Sequence, residues 1–185
     1  KYSAQLFKQI EGEFSSISSK ISFNVKRLSN GALNGASDLE KMEYSTNLYK
    51  LRNISSELSN NIKELKTNIE LLLKSYERAE TTDSDLLSMI LSLRDKTLDL
   101  EIKLGGSKVR KEIGEEYEYP TMWTYLWSAS GGTNSTYGPT ASHKKSFENA
   151  NQIFSTINSE FKNLNNQYKE VAPKLESIGA PKIKD

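Results

Sequence analysis

The feature that most restricts this chain is the recurrence of apolar residues at alternating steps of three and four. Such spacing keeps side chains on one stripe of an α-helix and buries that stripe along a seam between helices. Four stretches carry it. In the first, Phe7, Ile10, Phe14, Ile17, Ile21, Val25 and Leu28 hold the period, and Gly12 weakens the helix without changing its phase. In the second, Tyr44, Leu48, Leu51, Leu58, Ile62, Leu65, Ile69, Leu72 and Tyr76 fall in register, with Ser55 as the one polar intruder. The third runs through Leu86, Ile90, Leu93, Leu100 and Leu104, and Leu87, Leu91, Leu98 and Ile102 widen it. The fourth is the most regular: Phe147, Ala150, Phe154, Ile157, Phe161, Leu164, Tyr168, Val171, Leu175 and Ile178, with Pro173 set to kink or restart the last turn.

The breaks between stretches are equally informative. Ser29-Asn30-Gly31 to Gly35-Ala36-Ser37 reads as a connection, with Ser37 or Asp38 able to cap the next helix. Thr81-Thr82-Asp83-Ser84-Asp85 is a short polar turn rich in capping residues. Gly105-Gly106 stops the third helix by supplying positive φ. Short turns between long helices make antiparallel neighbours. The expected fold is all-α, an antiparallel bundle of about four long helices near 1–28, 38–79, 84–104 and 140–178, in a single domain over 1–185.

A chain of 185 residues is long enough for one sizeable core. Charge excludes some partners. The 25 Lys+Arg against 24 Asp+Glu are interspersed, so these charges read as solvated helix faces and neither nucleic acid nor anionic lipid is indicated. With no cysteine, disulfides, thiolate metal sites and a cysteine nucleophile are excluded. No apolar run reaches the ~18 residues of a membrane span.

Residues 105–139 differ in kind. This aperiodic stretch contains both tryptophans, Gly131-Gly132, Pro120 and Pro139. Long aperiodic loops in a bundle are uncommon and often functional. Thr121 opens one short expected helix bearing Met122, Trp123, Leu126 and Trp127. Trp123 and Trp127 are four apart and share a helical face. With Tyr125 and Tyr137 they are the candidate contacts for a sugar ring or a partner's apolar side chain. The structural alternative, favoured here, is that the short helix folds back and plugs one end of the bundle.

Chemistry finds little support. His143 is the only histidine, stands beside Lys144 and Lys145, and reads as an exposed polar residue, since a metal site needs several convergent ligands. Glu112, Glu115, Glu116 and Glu118 alternate with Ile113, Tyr117 and Tyr119, which suggests a strand-like or irregular arm and not a cation site. No pair of carboxylates is placed to face across a cleft, and Gly105-Gly106-Ser107-Lys108 lacks phosphate-loop spacing. No catalytic residue, cofactor or metal is expected.

The second half of the chain resembles the helical module that ends many bacterial sortilin-type β-propeller proteins, a group labelled glycosyl-hydrolase or BNR-repeat. The resemblance rests on Leu100-Glu101-Ile102-Lys103-Leu104, then Tyr119-Pro120-Thr121 with Trp123, then Gly138-Pro139-Thr140 before the last helix, and finally Gly179-Ala180-Pro181. It covers about Leu72 to the end. The ending Lys182-Ile183-Lys184-Asp185 departs from the Trp-containing ending seen in part of that family. The resemblance implies that the propeller is missing, and that these residues are the C-terminal part of a larger secreted or cell-surface protein. It supplies no catalytic residues.

Together these readings predict a non-catalytic structural or protein-interaction module, located extracellularly, at the cell surface or in the periplasm. Its partner is its own missing propeller or another surface protein. The wide stripe of the third helix needs cover on two sides, which three other helices supply, so a monomer suffices. The alternatives are a sugar- or peptide-binding module using the aromatic loop, and a sensor-type helical ectodomain.

Overall fold

The computed structural model describes residues 1–26, 35–115 and 119–182. It divides into two compact units, Lys1–Gly35 and Ala36–Asp185, where one domain was expected.

The larger unit is helical. Ser37 accepts the Glu40 N–H and starts α1, Asp38–Tyr76, at about 58 Å long from its rise per residue. Asp83 accepts from the Asp85 and Leu86 N–H groups and opens α2, Ser84–Gly105, which Gly106 ends at φ 84°. Two short helices follow, α3 at Lys108–Glu112 and α4 at Met122–Ser130. Thr140 and His143 then form a reciprocal capping box for α5, Ala141–Val171, and α6, Lys174–Ser177, restarts after Pro173. The boundaries expected from the apolar period are close to these.

The stripes pack as their spacing demands. On α1 the buried positions are Leu48, Leu51, Ser55, Leu58, Ile62, Leu65, Ile69, Leu72 and Ser75, a heptad-like seam. On α2 they are Leu86, Ile90, Leu93, Thr97, Leu100 and Leu104. On α5 they are Ala150, Ile157, Leu164 and Val171. Phe147, Phe154, Phe161 and Tyr168, each seven apart, lie beside that seam and are half-buried. Phe154 and Phe161 therefore do not fill the centre as their inward phase suggested; Ile157, fully buried, does.

Direction follows from cross-helix contacts. Lys66 of α1 pairs with Glu101 of α2 at 2.7 Å, while Tyr76 and Asp83 meet at the turn, so these helices run antiparallel. Lys103 of α2 reaches Glu160 of α5 at 2.9 Å, and Lys174 nears Met89, again antiparallel. Glu40 and Lys144 join the starts of α1 and α5, which run parallel.

The short helix α4 does not plug an end, as expected, but lies lengthwise. At about 33 Å, α2 covers little more than half of α1. The helix α4 packs on α5 and α1 and continues the rod that α2 leaves unfinished. Met122, Leu126 and Ala129 are its buried residues.

The first expected helix, about 1–28, is not a helix. Its described residues form four strands: β1 Tyr2–Ala4, β2 Phe7–Ile10, β3 Glu13–Ser16 and β4 Ile21–Phe23. β1 pairs antiparallel with β4, and β2 with β3. Glu11 and Gly12, at φ 52° and 88°, make the tight turn between β2 and β3, where both central residues need positive φ. Gly12 thus reverses the chain instead of weakening a helix. Phe and Ile suit strands, and the Ser-rich spacers give a helix little propensity. The register places Gln9 opposite Phe14 and Phe7 opposite Ser16, so Phe7 and Phe14 share a face across strands and not along a helix. Leu28 and the 29–34 connection lie outside the described residues.

Candidate functional site

Backbone acceptors and close packing hold the described residues 121–139 in place. Thr121 caps α4 by accepting the Thr124 N–H. The Tyr44 hydroxyl donates to the carbonyl oxygens of Ala129 and His143 at 2.8 and 3.1 Å, tying α1 to α4 and α5 at once. Burial pushes the Tyr44 phenol above its ordinary pKa, which keeps it a donor. The ring stands 6.0 Å from that of Phe147. Beyond α4, the Ala36 N–H donates to the Tyr137 carbonyl at 2.7 Å and Lys41 Nζ to the Thr136 carbonyl at 2.6 Å. Gly138 takes φ 88°, and a Cβ there would lie 2.8 Å from that of Ala36.

His143 is committed to structure. Its Nδ1 accepts the Thr140 N–H, and its Nε2 sits where a Cβ on Gly131 would come within 2.9 Å. Among the described residues no three of His, Asp and Glu converge on a metal-sized site.

The four aromatic candidates part company. Trp123 is half-buried, with its ring against Gly105 at the end of α2. Tyr125 is half-buried against the core. Trp127 is 81% exposed, and Tyr137 lies exposed in the loop after α4. No ring contact joins any of them among the described residues, so they form no shared platform. Trp123 and Trp127 stand four apart on α4, and the end of α2 covers the first and leaves the second exposed.

Two clefts flank the break between α2 and α4. One, of about 660 Å³, is walled by Ile102, Tyr119, Pro120, Ile153 and Ile157, with Lys103 and Arg110 at its rim. Lys103 is held above its ordinary pKa by hydrogen bonds to Asp99 and then Glu160. The other, of about 440 Å³, lies between α1, α2 and α3 and has Trp123 in its lining. Neither was legible in the sequence, because both arise where the second rod is interrupted. α3 ends at Glu112 where a strand-like or irregular arm was expected, residues 113–115 follow it without regular structure, and Glu116, Tyr117 and Glu118 lie outside the described residues.

No family model, curated protein or solved structure matches the chain. Among the described residues no helix is long and apolar enough to cross a membrane.

The remaining surface of interest is the β unit. Tyr2, Phe7, Ile10, Phe14, Ile21 and Phe23 are all exposed there, Phe14 at 70%. Tyr2 stacks on Phe23 across the strands at 5.9 Å, and Ala4 and Ile21 continue the same face.

Proposed function

We propose that this chain is a non-catalytic structural and protein-interaction module, part of a larger secreted or cell-surface protein. The observation that carries the reading is the β unit with its exposed apolar side chains. Two-stranded sheets are marginal alone, and every strand in them is an edge with unpaired backbone groups. Such an edge accepts a further strand, and its apolar face accepts a covering sheet. The partner is accordingly β-structured, and the propeller implied by the family resemblance is structure of that kind. The helical unit is then the rigid element that holds this arm in a larger assembly.

Hydrogen exchange tests the proposal. The amides of residues 2–23 are compared in this chain alone and in the full-length parent protein. Protection gained in the parent is the expected result. Equally fast exchange in both sinks the reading.

One observation favours a second reading, a sugar- or peptide-binding module: Trp127 is far more exposed than a tryptophan ordinarily is. Titrating intrinsic fluorescence against glycan and peptide panels separates the two. A saturable shift that disappears in Trp127→Phe supports ligand recognition at α4. An unchanged spectrum removes it.

A further inference from the structure

The smaller cleft beside Trp123 has a composition unlike the rest of this nearly neutral protein. Among the described residues it is lined by four lysines, Lys63 and Lys66 from α1 and Lys108 and Lys111 from α3, against one carboxylate, Glu101. Lys66 is satisfied by Glu101 at 2.7 Å, and Lys111 donates to the Gly105 carbonyl at 2.7 Å. Among the described residues, no carboxylate lies within ion-pair distance of Lys63 or Lys108. The floor between them is apolar, made by Leu98 and Ile102 from the second stripe of α2 together with the half-buried Trp123 ring. That stripe was expected to need cover on two sides, and Ile102 is left 45% exposed.

We infer that this cleft is a docking site for a short acidic peptide segment carrying a large apolar side chain among its carboxylates. The surplus of positive charge selects the sign of the occupant. The Leu98–Ile102–Trp123 floor selects an apolar anchor, and the cleft's volume of about 440 Å³ takes one or two such side chains. Lys63 and Lys108, both exposed, line the cleft from different helices, so a peptide held there meets cations from both helices while its anchor leaves water. Nucleic acid fits less well, because Glu101 opposes a phosphate chain and the apolar floor offers its backbone nothing. The site is independent of the β unit, and its failure leaves the module reading above untouched.

The test uses the whole chain with Trp127→Phe, so that Trp123 is the sole tryptophan. The probe is a blocked synthetic peptide of glutamates around one leucine and one phenylalanine. The expected result is a saturable change in Trp123 emission, with an apparent Kd weakened about tenfold between roughly 0.05 and 0.5 M salt. Lys63→Glu and Lys108→Glu, each with an unchanged melting temperature, weaken binding by about tenfold or more, since like charges then face the peptide. An isosteric glutamine peptide that binds as well overturns the proposal, as does unchanged binding in both charge reversals. An oligonucleotide competing as effectively as the peptide also overturns it, by showing polyanion attraction without recognition. Absence of any emission change, with calorimetry finding no heat of binding, does the same.

Discussion

Ser55 is fully buried between Leu51 and Leu58, and its hydroxyl finds no hydrogen-bond partner among the described residues. Burying such a group costs free energy without return. Ser55→Ala removes the hydroxyl and improves helix propensity, so denaturant unfolding is expected to show a gain of up to about 1–2 kcal/mol. A loss of stability in that variant means the hydroxyl has a partner after all. On α5 the contrast lies between neighbours. Ile157→Ala is expected to cost about 2–5 kcal/mol, because Ile157 is fully buried. Phe161→Ala costs roughly half the ~3–5 kcal/mol typical of a buried Phe, since its ring is only half covered. Lys162→Ala, on the exposed face, stays within about 0.5 kcal/mol. Thermal melts of the three variants check the order, and any reversal places the seam on the wrong side of α5.

Element by element, α4 is the most informative piece, because a helix of nine residues is too short to persist alone. It exists because Met122, Leu126 and Ala129 complete the rod that α2 leaves short. Leu126→Ala is therefore expected to cost about 2–5 kcal/mol, whereas Trp127→Ala, one residue on and exposed, stays within about 0.5 kcal/mol. Similar losses in both variants mean that α4 packs on another face. The starts of α1 and α5 are joined by Glu40 and Lys144, and hydrogen bonding to Lys144, then its charge, holds the Glu40 carboxyl below its ordinary value. The unfolded chain takes up that proton more readily, so the contribution is present above the ordinary Glu pKa of about 4.3 and fades as pH falls through the folded value. Wild type should melt above Glu40→Gln at neutral pH, with the gap closing in acid. A gap that widens in acid contradicts the assignment.

At the scale of the molecule, every buried apolar residue among those described lies between Leu48 and Ile178, and none comes from the β unit. A chain beginning at Ala36 is therefore expected to keep its helical circular dichroism and to melt within a few degrees of the parent, as unit boundaries with separate contacts imply. Loss of cooperative melting on that truncation shows that the β unit supports the helices. In the helical unit, the cleft between α1, α2 and α3 lies at the break in the second rod. That break opens two clefts, and a third, of about 640 Å³, lies at the other end of α1 beside α6.

The amino-acid sequence alone determined α1, α2 and α5 almost to their ends. Their apolar period continues through many turns, and caps such as Ser37 and Asp83 are local signals that need no partner. It also placed a short helix at Met122 through its apolar pair and the preceding Thr121. Four decisions belonged to tertiary structure. The stretch from Phe7 to Phe23 has spacings that a helix also satisfies, and only cross-strand pairing about Glu11-Gly12 settles it as sheet. The direction of α4 depends on how far α2 reaches along α1, which no local signal encodes. Whether Trp123 or Trp127 meets solvent depends on where Gly105 ends α2. The lysines of the Trp123 cleft, Lys63 and Lys66 against Lys108 and Lys111, are some forty residues apart in sequence and become one site only when α1, α2 and α3 pack. Periodicity reports the face a residue occupies on its own element, whereas its company is fixed by the lengths and ends of the elements packed against it.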